Sequence, residues 1–239
     1  MPPKPEVSSL PVALVTGSRT GLGKFIAQAL AAKGYCVVGC SRQPAGWSAE
    51  GYEHVEADVS QERCILELLG HIRAKYGRLD VAVNNAGVAS MNHSLLVPAA
   101  TIDRVLDLNV RGVFLVCRES AKLMRKRGWG RIVNLTTVAV PLRLEGEALY
   151  AASKSAVETL THILAREFAG FGITVNAVGP SPVDTDLIRN VPEDRIAQLL
   201  QRLAIKRKGT PEDVFNVIDF FIRPESAAIT GQIVYLGGA

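Results

Sequence analysis

The sequence predicts a single doubly wound α/β domain, with a parallel sheet of about seven strands and helices on both faces. Three observations predict it. Short runs, apolar at nearly every position, recur at 12–16, 36–40, 54–57, 81–84, 132–135, 173–178 and 233–236; strands buried on both faces read this way. Longer stretches with helical spacing lie between them, at 22–33, 61–76, 102–126, 149–168 and 212–222. Such alternation implies right-handed crossovers that place helices on both sides of a parallel sheet. With 239 residues, 48% of them hydrophobic, the chain can fill one large core without dividing.

Residues 1–9 are proline-rich and polar and read as a flexible tail, leaving 10–239 as the domain. The tail lacks the apolar centre of a signal peptide, and no apolar run approaches the roughly 20 residues of a membrane span. Cys36, Cys40, Cys64 and Cys117 show no paired metal spacing and sit mostly in apolar runs, so free thiols in a reducing, cytoplasmic setting are expected. The four histidines form no ligand pair, which argues against a metal site.

The first strand leads through Thr16-Gly17-Ser18-Arg19-Thr20-Gly21-Leu22-Gly23 into the first helix. Glycines there permit a tight turn and bring backbone N–H groups toward a pyrophosphate at the helix N-terminus, as in a Rossmann dinucleotide site. The second strand ends in Ser41-Arg42, where an NAD site usually carries a carboxylate for the ribose hydroxyls. A hydroxyl and a guanidinium instead suit a 2′-phosphate, and Arg19 can add a second positive charge, so NADP(H) is the expected cofactor. Asp58, after the third strand, either accepts from the adenine amino group or caps the following helix.

The helix at 102–126 ends in Arg125, Lys126 and Arg127, with Arg131 close behind. This basic cluster is too short for a nucleic-acid footprint and reads as a solvated helix end or a docking patch for an acidic partner. In the next helix Tyr150 and Lys154 stand four apart and share a face. A free phenol titrates near 10 and is a poor acid–base catalyst at neutral pH. A neighbouring ammonium and an oxidised nicotinamide both favour the phenolate; a shift of about three units corresponds to roughly 4 kcal/mol. The stretch 180–208 holds Pro180, Pro182 and Pro192 and breaks the rhythm; a substrate lid is expected around 182–208.

These motifs, in this order and spacing, resemble the short-chain dehydrogenase/reductase family from Val12 nearly to the end of the chain. Thr16–Gly23 is similar to its TGxxxGxG turn, Asn84-Asn85-Ala86-Gly87 to its NNAG element, Asn109 to its helix asparagine, and Tyr150–Lys154 to its YxxxK pair. Asn176-Ala177-Val178-Gly179-Pro180 and Thr185 resemble its cofactor loop after the sixth strand. The resemblance implies that Tyr150 gives a proton to a carbonyl oxygen as hydride arrives, that Lys154 holds the nicotinamide ribose, and that Asn109 holds a relay water through a local break in its helix. It implies cofactor contacts from Gly17, Ser18, Arg19, Gly21, Leu22 and Gly23; from Ser41, Arg42, Asp58 and Val59; from Asn85, Ala86 and Gly87 to the adenosine half; and from Tyr150, Lys154, Pro180, Val183 and Thr185.

Two departures stand out. The family's substrate-binding serine, thirteen residues before the tyrosine, is Thr137 here, which keeps the hydroxyl but restricts its rotamer. Neighbouring Thr136 faces the other way on an extended strand. Ser181 stands where the family commonly has glycine. The chain most resembles 3-oxoacyl-acyl-carrier-protein reductases, implying a ketone substrate that is either carrier-bound or a small molecule, with an acyl carrier protein as partner. Against a carrier, Phe171 occupies a position where carrier-binding relatives often have arginine. Sugar, steroid or other alcohols of the same family are alternatives, as is a non-catalytic cofactor-binding regulator; short length and glycine spacing disfavour a sugar-nucleotide epimerase. The resemblance also implies a homotetramer, or a homodimer, paired through the helices at 102–126 and 149–168.

Overall fold

In the computed structural model, which describes residues 8–185 and 191–239, the strands are β1 (Val12–Thr16), β2 (Cys36–Ser41), β3 (Tyr52–Glu56), β4 (Val81–Asn84), β5 (Gly130–Leu135), β6 (Ile173–Gly179) and β7 (Ile233–Tyr235). All pair in parallel, in the order β3-β2-β1-β4-β5-β6-β7. The winding reverses between β1 and β4, whose carboxyl ends open the crevice in which such sheets hold ligands. Each predicted strand is present; β3 starts two residues earlier than its apolar run, because Tyr52 packs on the sheet despite its polar hydroxyl.

Alternation along each strand feeds two cores. Val12 and Leu14 face α2 (Glu62–Tyr76), α4 (Val113–Met124) and α6 (Ala148–Ala169) through Ile65, Leu68, Val116 and Val157. Ala13 and Val15 face α1 (Gly21–Ala32) and α8 (Pro211–Ile222) through Ile26, Leu30, Val214 and Ile218. Truncating one such buried leucine, Leu14→Ala for example, costs about 2–5 kcal/mol. Helix ends carry their own signals. Gly77 closes α2 in the left-handed region, and Thr210 and Asp213 form a capping box around Pro211 at the start of α8.

Two buried polar clusters join the strands. Asp80 accepts from the Val12 backbone at 2.8 Å and from Nε and Nη2 of Arg78, each at 2.7 Å, fixing the entry to β4. Beneath the centre of the sheet, Asn84 donates to the Asn134 side-chain oxygen at 2.8 Å and to the Cys117 sulfur at 3.2 Å. Asn134 in turn donates to the Thr161 hydroxyl at 2.9 Å, which donates to the Val157 carbonyl at 2.8 Å.

The structure corrects two expectations. The single helix expected over 102–126 is α3 (Ala99–Leu106), a wider π-helical stretch Asp107–Gly112, α4, and a 3-10 turn Arg125–Arg127. The extra residue is accommodated where Gly112 abuts the Val59 carbonyl, 2.5 Å from where a Cβ would stand. Arg131 does not belong to the surface basic cluster: it is buried on β5, stacked 4.5 Å over the Trp129 ring, and only Arg125, Lys126 and Arg127 are exposed. The C-terminal residues fold onto their own chain, where the Gly237 carbonyl accepts from Ile205 at 3.0 Å. α5 (Ala139–Leu142) is a single turn between β5 and α6, and within 182–208 the amphipathic pattern forms α7 (Glu193–Gln201); positions 186–190 of the expected lid lie outside the described residues.

Candidate active site

The glycine turn after β1 is locked by the loop after β4. Gly17 adopts φ +70°, open chiefly to glycine. The Asn85 side chain donates to the Thr16 and Gly17 carbonyls at 2.9 and 3.2 Å, and the Thr16 hydroxyl accepts from the Asn85 and Ala86 backbones at 3.1 and 3.0 Å. A Cβ on Gly23 would collide with the Gly17 carbonyl and the Asn85 amide. Asn85 thus braces the turn through its amide nitrogen, while also lining the larger cavity.

Two adjoining cavities open on this turn and share Gly17, Thr20, Ala86 and Gly87 as lining. The smaller, about 530 Å³, is walled by Arg19, Ser41, Arg42, Asp58, Val59 and Leu108. The larger, about 890 Å³, continues past Leu22, Gly23, Asn85, Pro180, Val183 and Thr185 to Thr137, Tyr150 and Lys154. α1 begins between them with no side-chain cap from Thr20 and no acidic residue in its first turn. Free N–H groups and the positive end of the helix dipole therefore face the shared lining, an arrangement suited to an anionic bridge between two halves of a ligand.

Of the residues expected at the cofactor, Ser18 lines neither cavity: it is buried, with its hydroxyl on Tyr52 at 2.9 Å. The Ser41 hydroxyl is also engaged, 2.5 Å from the Gln43 carbonyl. Asp58 lines the smaller cavity and accepts from the Ser60 backbone at 2.9 Å in a turn ahead of α2; it does not cap that helix, whose N-cap position is Gln61.

In the larger cavity, α6 presents Tyr150 from its first turn and Lys154 one turn later, both buried. Lys154 donates from Nζ to the Leu135 carbonyl at 2.7 Å. Asn109, fully buried in the π-helical stretch, accepts from the Val88 backbone at 2.9 Å and donates to the Val88 carbonyl at 2.9 Å and the Ser153 hydroxyl at 3.0 Å. Both of its amide hydrogens are therefore engaged, and its oxygen accepts from Val88. A Cβ on Gly87 would stand 3.2 Å from Asn109 Oδ1 and 3.4 Å from Lys154 Nζ, so glycine keeps these groups together.

The electrostatics differ from the expected acidified phenol. Burial pushes Tyr150 up to about 12, the Glu147 carboxylate adds to the rise, and only the Thr137 hydroxyl pulls it down. Burial lowers Lys154 to about 8, so the ammonium is itself weakened. Glu147 was not singled out in the sequence, although it precedes Tyr150 by three helical positions; it lines the cleft and its carboxyl is raised by burial. Thr136 turns away and donates to Glu158, leaving Thr137 as the hydroxyl that acts on the phenol.

All four cysteines are free, and burial raises the Cys40 and Cys117 thiols to about 12. Among the described residues, no helix is long and apolar enough to cross a membrane. No group of three metal-ligating side chains occurs among them either.

Comparison with known proteins agrees with this geometry. A family model described as enoyl-(acyl carrier protein) reductase matches residues 17–238. The chain is 32% identical over 233 residues to a 3-oxoacyl-[acyl-carrier-protein] reductase of Escherichia coli (strain K12), covering 95% of this chain and 96% of the relative. It is 38% identical over 238 residues to the enzyme of that name from Synechocystis sp., covering 95% of each. A solved short chain dehydrogenase/reductase family protein superposes with a TM-score of 0.87 at 32% identity, over 98% of both chains. A double mutant of a Serratia marcescens short-chain dehydrogenase/reductase superposes with a TM-score of 0.87 at 31% identity, over 95% of this chain and 97% of the other. The chain belongs to the short-chain dehydrogenase/reductase family of oxidoreductases.

Proposed function

We propose that this chain is an NADPH-dependent ketone reductase, acting on a 3-oxoacyl thioester or a related secondary-metabolite carbonyl. One observation carries the reading: Tyr150 and Lys154 lie buried in the wall of the same cleft that the glycine turn opens, with Thr137 acting on the phenol. The names of the relatives support the substrate class. The residues present fit the cofactor: the uncapped start of α1 suits the pyrophosphate, and Arg19 and Arg42 on the smaller cavity suit a 2′-phosphate.

NADPH supplies the hydride when bound. Tyr150 is protonated throughout the neutral range and acts as general acid to the carbonyl oxygen. Thr137 holds that oxygen by its hydroxyl. Lys154, anchored on Leu135, offers its remaining donors to the ribose, and its value of about 8 lets it return a proton toward the tyrosine. Asn109 fixes Val88 and Ser153, and through Ser153, which donates to the Tyr150 carbonyl at 2.7 Å, it fixes the first turn of α6.

An acyl carrier protein is the proposed donor of substrate, with the exposed Arg125–Arg127 turn as the basic surface for it. Self-association into a tetramer or dimer is proposed through α3, α4 and α6, which expose Ile102, Leu106, Phe114 and Ile163. Free, partly buried thiols fit a cytoplasmic setting.

The test is NADPH oxidation with a 3-oxoacyl thioester, in wild type and in Tyr150→Phe. The variant should lose roughly 100- to 10,000-fold in kcat/KM while NADPH affinity holds. Undiminished turnover in the variant rules the mechanism out.

A further inference from the structure

A chain of hydrogen bonds runs behind the smaller cavity and joins its two walls. Ser18 and Tyr52 are 2.9 Å apart through their hydroxyls, and Tyr52 Oη is 2.7 Å from His54 Nδ1. His54 Nε2 is 3.0 Å from both the Gln43 carbonyl and the Ser41 hydroxyl oxygen, and that hydroxyl lies 2.5 Å from the same carbonyl. One wall, the Arg19 side of the glycine turn, is thereby tied through its buried neighbour Ser18 to the other, the end of β2 with Ser41 and Arg42. Trp47 reinforces the tie, stacked on Tyr52 with centroids 4.0 Å apart and donating to the Arg19 carbonyl at 3.0 Å.

The donors in this chain can be assigned. A carbonyl only accepts, so the His54 nitrogen facing Gln43 carries hydrogen, and a neutral ring then has its lone pair at Nδ1. Tyr52 therefore donates to His54 and accepts from Ser18. The Gln43 carbonyl is left with two donors, Ser41 and His54, where one suffices.

We propose that His54 is a positioning residue for the cofactor's 2′-phosphate: by satisfying the Gln43 carbonyl from Nε2 it releases the Ser41 hydroxyl to turn toward that phosphate, while its Nδ1 holds Tyr52 and the Ser18 wall in place. The inference rests on the NADP(H) reading given above and deepens it. Arg19 and Arg42 supply charge to the subsite; His54 makes the serine's donor available at no loss of a hydrogen bond elsewhere. The effect is confined to the phosphate, because an unphosphorylated ribose leaves Ser41 on Gln43.

The experiment is direct titration of the purified full chain with NADPH and NADH, following cofactor fluorescence, in wild type, His54→Asn, His54→Gln and Ser41→Ala. Asparagine places its carboxamide at the Nδ1 position and serves Tyr52 but not Gln43; glutamine reaches the Nε2 position and restores the donor. His54→Asn should weaken NADPH by about three- to tenfold, the scale of one partly exposed hydrogen bond, with NADH unchanged. His54→Gln should recover most of the NADPH affinity. Combining His54→Asn with Ser41→Ala should cost little more than either alone, since both act through one hydroxyl. Equal weakening of NADPH and NADH, or additive losses in the double variant, reduces His54 to a structural residue and overturns the proposal. Nitrogen-15 NMR of the cofactor-free chain gives a readout independent of binding: a His54 ring protonated on Nδ1 alone also overturns it. If wild type binds neither dinucleotide, the cofactor reading fails, and the inference falls with it.

Discussion

Lys154 donates to the main-chain carbonyl of Leu135 at 2.7 Å, tying the cleft-lining face of α6 to the last residue of β5. The ammonium is buried, and burial alone brings it to about 8 from the ordinary 10.5. The unfolded chain therefore binds the proton more tightly, and folding stability gains from this residue as pH rises from about 8 to 10.5. In urea unfolding, the difference between wild type and Lys154→Met should move in favour of wild type by about 3 kcal/mol between neutral pH and about pH 11. A difference that stays flat across that interval contradicts the assignment.

Glu147 acts on the proton of Tyr150 from one helical turn away. After burial, its carboxylate helps hold the phenol up, so Glu147→Gln should move the rising limb of the alcohol-oxidation profile, where the phenolate serves as base, to lower pH. The carboxyl is itself raised by burial, so its contribution to stability is present at low pH and is lost as pH rises through its folded value. The glutamine variant should accordingly gain on wild type in unfolding free energy as pH rises above the ordinary glutamate range. Rate profiles that superpose in the two proteins would refute the electrostatic role.

Gly23→Ala tests the brace under the turn. The added methyl meets the Gly17 carbonyl and the Asn85 amide, both held by several hydrogen bonds. Overpacking of this kind costs about 1–3 kcal/mol, and displacement of Gly17 should also weaken dinucleotide binding. Calorimetry with and without NADPH checks both; an unchanged melting temperature and affinity would show that the turn yields easily.

Phe114 on α4 and Ile163 on α6 are 39% and 49% exposed, unusual for large apolar side chains on long helices. If those faces pair between copies, Phe114→Glu with Ile163→Glu should yield a smaller particle in light scattering, with the far-ultraviolet circular dichroism retained. An unchanged mass places the interface elsewhere.

Apolar runs revealed every strand, because strands covered on both faces leave no choice of residue type. The glycine turn, Tyr150 and Lys154 were equally legible, since local chain geometry places them. What escaped depended on partners distant in sequence. Helical spacing does not encode the π-helical stretch around Asn109, whose local break only the family resemblance anticipated; its bonds to Val88 and Ser153 were not legible. Ser18 and Ser41 were placed near the cofactor by position, but their hydroxyls point to Tyr52 and Gln43. Tyr52 and His54 do alternate on one face of β3, the one clue that they act together. Arg131 looked like a surface charge from its neighbours, and only the sheet order puts it beneath Trp129.

The paired carboxamides of Asn84 and Asn134 sit directly opposite one another in register. Sliding β4 by a single position against β5 would send one amide to the opposite face and strand the other in hydrocarbon. Neighbouring valines and isoleucines are nearly interchangeable and penalise such a slip far less. Two amides thus serve as an alignment key for the centre of the sheet, since only the native register pairs them with each other.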